Sequence, residues 1–212
     1  INKHISTEGD IMKVTELVNI FDKEEREAEI EKITGKAAQA DHIASRTIKA
    51  INVKMQEDPV YYKKLADLIK ETIEEYYLKR ISEAEFLKRA KEHEERFLHG
   101  RSDDAPEELA NNDAALAFYN FSKSVYEDAE LLKTPFHIEV SLAIDDTVKE
   151  HIYLNGNKII EWHKNNDVTG KININLGDAL YELLKKYDLD TNWDKIDNLI
   201  EECMKVAILK YK

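Results

Sequence analysis

The chain has one cysteine, three prolines and six glycines in 212 residues. A single thiol, Cys203, excludes an intrachain disulfide and a cysteine-based zinc site, and it suits a reducing cytosol. So little glycine and proline leaves few breaks between elements, which favours helices over turn-rich sheets. No apolar run approaches the ~20 residues that cross a bilayer. The chain opens at Ile1 without a methionine or a signal-like apolar segment, so it reads as a piece cut from a longer protein. Positive charge is also scarce, with 31 Lys and Arg against 43 Asp and Glu and a net charge of −12. A DNA, RNA or anionic-lipid surface needs the opposite balance. Apolar residues at 42% are still sufficient to build the core of one globular domain or two small ones.

Catalytic signatures are missing as well. A common Mg²⁺ nuclease site needs an acidic-x-Lys step, in which the carboxylate holds metal and the lysine steadies the attacking water. Neither Glu-x-Lys nor Asp-x-Lys occurs in the chain. Thr34-Gly35-Lys36-Ala37 lacks the first glycine and the final hydroxyl of a phosphate-binding loop, and Gly35 reads instead as a helix C-cap. His93 and His99 are six apart, whereas paired zinc histidines on a helix need a spacing of four, so with Glu95 they read as a solvated face. Asp103-Asp104 and Asp145-Asp146 read as caps and surface charge. Cys203 falls on the apolar stripe of the last helix and reads as a buried, inert thiol.

What is present is helical periodicity. Asp22 is placed to cap a short charged helix that Gly35 stops. Ala40, Ile43, Thr47, Ala50, Ile51 and Met55 share one helical face, and Pro59 ends that helix at Asp58. Asp58-Pro59 then starts the next helix, with Tyr62, Leu65, Leu68, Ile69, Thr72, Ile73 and Tyr76 spaced by three and four. Ser82 to Glu85 forms a capping box before Phe86, Leu87, Ala90 and Phe97, and Gly100 closes that helix. Residues 1–35 read as a connector, 36–105 as an N-terminal helical half and 106–212 as a C-terminal half. In the second half a helix runs through Leu116, Phe118, Tyr119 and Val125. Residues 136–161 fit either a helix or a strand, because Ile138, Val140, Leu142 and Ile144 alternate while Ile138, Leu142, Asp145, Val148 and Ile152 keep helical spacing. Asn155-Gly156 signals a short β-hairpin within 152–161. Asp167 is placed to cap one further helix, and Thr191 with Asp194 opens the last. The expected fold is mainly α, a multi-helix bundle-like domain with one short β-hairpin.

Lys63, Lys64, Lys79, Arg80, Lys88 and Arg89 interleave with Tyr61, Tyr62, Tyr76 and Tyr77. They fit either a local phosphate-contacting patch or, preferably, ordinary helix partners of nearby glutamates.

Several separated motifs, in order, resemble the C-terminal region of the R (motor and endonuclease) subunit of type I restriction-modification enzymes. They are Ala40 to Thr47, Glu57-Asp58-Pro59-Val60-Tyr61-Tyr62, Tyr76 to Ser82, Pro106-Glu107-Glu108-Leu109 with Ala117-Phe118-Tyr119, Val148 to His151, Trp162-His163-Lys164 with Asp167-Val168, and Leu183 to Tyr187. Residues 153–157 and Glu161 depart from the family pattern. The resemblance implies a helical, non-catalytic docking module on the methyltransferase core of modification and specificity subunits. It implies no cofactor in this segment, with ATP and Mg²⁺ used by the upstream parts of a cytoplasmic parent subunit that acts on DNA through the whole complex. Trp162, His163, Tyr61 and Tyr62 are then the candidate partner-binding residues, Trp162 fitting either an interface anchor or a core tryptophan. Guiding of DNA by the 61–91 cluster is the alternative.

Overall fold

The computed structural model describes residues 20–102 and 105–212, so the expectations for residues 1–19 and for Asp103-Asp104 lie outside it. Among the described residues there are eight α-helices and one two-stranded hairpin, a mainly α protein as the periodicity predicts. They form two compact units: one holds residues 20–54 with Tyr62–Gly100, the other Met55–Tyr61 with the described residues after Gly100.

The first unit holds α1 (Lys23–Glu31), α2 (Lys36–Lys54), most of α3 (Pro59–Tyr77) and α4 (Glu83–His99). Asp22 caps α1 by accepting from the Glu25 amide, but the helix stops at Glu31, well before Gly35. Gly35, at φ +95°, precedes α2, and its carbonyl accepts from the Gln39 amide, so it is not a C-cap. Helix α2 ends at Lys54, four residues short of the expected Asp58. Asp58 nevertheless caps α3, with its Oδ1 3.0 Å from the Tyr61 amide. Ser82 accepts from the Glu85 amide at 3.2 Å, while the Glu85 carboxylate takes the Arg89 guanidinium, so only half the capping box forms. Ala40, Ala44 and Ala90 are buried, and these small side chains let α2 and α4 pack closely. Rings carry α3 onto α4: Tyr76 stacks on Phe86 at 4.6 Å and Tyr62 meets Phe97 at 6.0 Å.

The second unit holds α5 (Asp113–Val125), α6 (Phe136–Ile152), α7 (Asn166–Lys186) and α8 (Trp193–Lys210). Helix α6 packs on α5 and α7, and α8 packs on the same two, which closes a four-helix bundle. The ambiguous 136–161 stretch is helical up to Ile152. Phe136, Val140, Ile144, Val148 and Ile152, spaced by four, are each at most 1% exposed and face the bundle core. Ile138 and Leu142 pack on a second cluster made by Leu109, Ala115, Leu116 and Tyr119. Burial on two sides is what imitates strand alternation in this helix. A hairpin follows, with β1 (Tyr153–Leu154) antiparallel to β2 (Asn157–Lys158). Asn155 and Gly156 take φ of 52° and 78°, the two successive positive values that a tight hairpin turn requires. Helix α7 is capped by Asn165, which accepts from the amides of Asp167 and Val168, and α8 by Asn192. Asparagine replaces the expected Asp167 and Thr191 caps, each one or two residues away. No helix among the described residues is long and apolar enough to cross a membrane.

Candidate functional site

Trp162 sits in a single 3-10 turn, Trp162–Lys164, and is fully buried in the core of the second unit. Its indole Nε1 donates to the Tyr211 carbonyl at 2.7 Å, so the ring ties the chain end to the bundle and is not presented as an interface anchor. His163 is half-buried and meets the Trp162 ring edge-on at 6.0 Å. Its Nδ1 has no hydrogen-bond partner among the described residues. Tyr61 is buried in the second unit, where its hydroxyl donates to the Arg101 carbonyl at 3.1 Å. Tyr62 is buried in the first. Three of the four candidate partner residues are thus scaffold.

The basic candidates divide. Arg89 is engaged by Glu75 at 2.6 Å and Glu85 at 2.9 Å, and Lys88 reaches Glu92 at 3.8 Å. Lys63, Lys64, Lys79 and Arg80 are exposed and form no ion pair among the described residues. They stand at opposite ends of α3, about 20 Å apart at helical rise, with Asp67, Glu71 and Glu74 between them. The result is two small cationic tips and no continuous basic track.

Sequence reasoning missed the buried ionic centres. Asp145 is 1% exposed and accepts from Asn112 Nδ2 at 2.6 Å, from Lys149 Nζ at 2.7 Å and from the Tyr211 hydroxyl. It is a structural acceptor and not surface charge. The signal was its place in the Leu142, Asp145, Val148 row of α6. The Tyr211 phenol is held well above its ordinary pKa by burial and by that carboxylate. Asp58 also accepts from Asn120, and burial raises its carboxyl from 3.8 to about 6. His137 is 2% exposed and shares a 2.8 Å hydrogen bond with Ser122, and burial lowers its pKa from 6.5 to about 4. A Ser–His pair so enclosed has no substrate access and holds the packing of α5 on α6.

In the first unit, Glu94 takes Arg46 through both carboxylate oxygens at 2.6 and 3.1 Å, with Arg26 Nε 3.5 Å away. Arg26 also donates to the Ile20 carbonyl at 3.2 Å. A cavity of about 280 Å³ opens beside them, lined also by Lys91, Glu27, Glu31 and Glu95. The guanidiniums there are held by Glu94, with Glu95 and Glu29 each 3.4 Å from one of them, so the cavity borders an ion-pair clamp. His93 is buried against Thr72 at 2.9 Å and is held below its ordinary pKa by burial, contrary to the solvated face expected for it. Cys203 is buried, and burial pushes its thiol well up. Among the described residues no group of His, Cys, Asp or Glu is arranged to hold a metal ion. Each helical unit is thus held internally by a buried ionic cluster, around Glu94 in the first and Asp145 in the second. Compared with family models, curated proteins and solved structures, the chain finds no match.

Proposed function

We propose that this chain is the non-catalytic C-terminal helical region of a type I restriction enzyme R subunit. In that role it docks the ATP-dependent translocase and endonuclease onto the methyltransferase core of modification and specificity subunits in the cytoplasm. The observation that carries the reading is the ordered set of short motifs from Ala40 to Tyr187. Its physical support is a net charge of −12, which disfavours phosphate contact and favours steered docking on a basic protein surface. ATP and Mg²⁺ belong, on this reading, to the upstream parts of the subunit. The test is a pull-down of the purified modification–specificity complex by this chain, with retention at low salt expected and no retention counting against the reading.

One observation favours a second role, guidance of DNA leaving the motor. Lys63, Lys64, Lys79 and Arg80 are exposed and carry no ion pair among the described residues. A gel shift with duplex DNA tests it, and a salt-sensitive shift lost on Lys63→Glu/Lys64→Glu substitution is expected if it holds.

A further inference from the structure

The chain has two tryptophans, and while Trp162 is buried, Trp193 at the start of α8 is 51% exposed. Its ring lies nearly parallel to Tyr181, with centroids 5.5 Å apart and planes at 11°. A Cβ added at buried Gly177 would meet Trp193 Cζ3 at 3.5 Å, an ordinary contact, so the indole lies against α7 at this turn. Gly177, Tyr181 and Lys185 follow at steps of four along α7, and Lys185 Nζ stands 4.1 Å from the Tyr181 ring centroid. The indole is therefore held in one orientation by the residues beneath it while half its surface meets solvent. Ile174, 66% exposed, extends the apolar surface one turn back along α7.

Carboxylates share these helical turns, with Asp178 one turn before Tyr181 on α7, Asp194 next to Trp193 and Asp197 one turn after it on α8. All three are exposed and none forms an ion pair among the described residues. An exposed indole face attracts a cation, and arginine stacks on it better than lysine because its guanidinium is flat and weakly hydrated. Unpaired carboxylates on the same turns offer the charge-assisted hydrogen bonds that a guanidinium takes.

We propose that the Trp193 surface of the second unit docks a basic, arginine-bearing segment of a partner protein. The proposal rests on the docking reading above and names the surface and the partner chemistry. The three carboxylates repel phosphate, which separates this surface from any nucleic-acid contact.

Fluorescence quenching by acrylamide tests it on the full chain, because buried Trp162 is shielded and Trp193 reports alone. The probes are the modification–specificity complex, an alternating arginine–alanine peptide, its lysine counterpart and a short DNA duplex. The complex and the arginine peptide are expected to shield Trp193, the lysine peptide to bind more weakly, and DNA to leave the quenching unchanged. Trp193→Ala, whose binding is read by calorimetry because it lacks the reporter, and the triple variant Asp178→Asn/Asp194→Asn/Asp197→Asn should each weaken binding roughly tenfold or more, with unchanged far-ultraviolet circular dichroism. The triple variant keeps the ring, so it reads the charge contribution even if the indole matters to folding. If the complex binds wild type and both variants equally and leaves Trp193 quenchable, the proposal is overturned and the docking reading survives. If the complex does not bind but the arginine peptide shields Trp193, the docking reading fails and the surface stands. Shielding by DNA, or equal binding of every peptide to every variant, overturns the proposal.

Discussion

Asn120 Nδ2 donates to Asp58 Oδ2 at 2.7 Å, which ties the residue capping α3 to the side of α5. The same carboxylate accepts from the Tyr61 amide. Burial nevertheless outweighs these two bonds, and the carboxyl titrates near 6 instead of 3.8. A folded pKa raised above the unfolded one means that the native state holds its proton more tightly. The contribution is therefore fully favourable below 3.8 and is lost as pH rises through about 6. The loss is on the order of 3 kcal/mol for a shift of this size. The Asp58→Asn variant keeps a capping side chain, and Asn120 can rotate its amide to pair with it. In urea denaturation the variant should gain on wild type as pH goes from 4 to 8; a difference that ignores pH would contradict the assignment.

His137 works in the opposite direction. Its neutral form is buried against Ser122, and its pKa falls from 6.5 to about 4. Stability from this group is present above 6.5 and is lost as pH falls through about 4. An Asn side chain places a polar atom near the Nδ1 position without a titrating ring. Wild type should therefore lose on the order of 3 kcal/mol relative to His137→Asn as pH drops from 7 to 4. The comparison with the variant isolates this slope from the opposing one at Asp58.

Glu94 bridges two guanidiniums, with its side chain 6% exposed and those of Arg26 and Arg46 9% and 14% exposed, and Glu95 and Glu29 each stand 3.4 Å from one of them. Glu94→Gln leaves the two cations with only the more exposed Glu95 and Glu29, at a cost of about 3 kcal/mol. Amide hydrogen exchange should show faster opening of α2 and α4, with the four-helix bundle of the second unit unchanged. Equal protection in the variant would mean that the ion cluster is not what holds the first unit.

Gly170 lies inside α7, and a Cβ placed there meets nothing within 4 Å. Glycine in a helix costs about 0.5–1 kcal/mol against alanine, chiefly through the freedom of the unfolded chain. Gly170→Ala should raise the thermal midpoint by a few degrees. A lower midpoint would show that this turn needs glycine for a reason that packing does not reveal.

Much of the architecture was legible because helix signals are local. Asp58-Pro59, Ser82 and Gly100 mark real ends, and Asn155-Gly156 makes its turn where the dipeptide requires positive φ. Errors fell where a tertiary partner competes with local pattern. Gly35 lies on the entry to α2 because α1 unwinds early, and Asn165 and Asn192 outcompete nearby Asp and Thr for the cap. Helix α6 looked half like a strand because it buries two faces. The site was less legible. Trp162 has the composition of an anchor, but its indole partner is the distant Tyr211 carbonyl, which no local spacing predicts. Asp145 and Glu94 become buried acceptors through residues 66 and 48 positions away in sequence. Trp193 carries no local signal, because its stacked position depends on Tyr181, one helix earlier.

Titration of the purified modification–specificity complex into this chain, followed calorimetrically at low and high salt, tests the central claim most directly. The account predicts saturable binding that weakens as salt rises, with no release of heat when duplex DNA replaces the complex. Absence of binding to the complex at low salt, together with saturable binding of DNA, would contradict it.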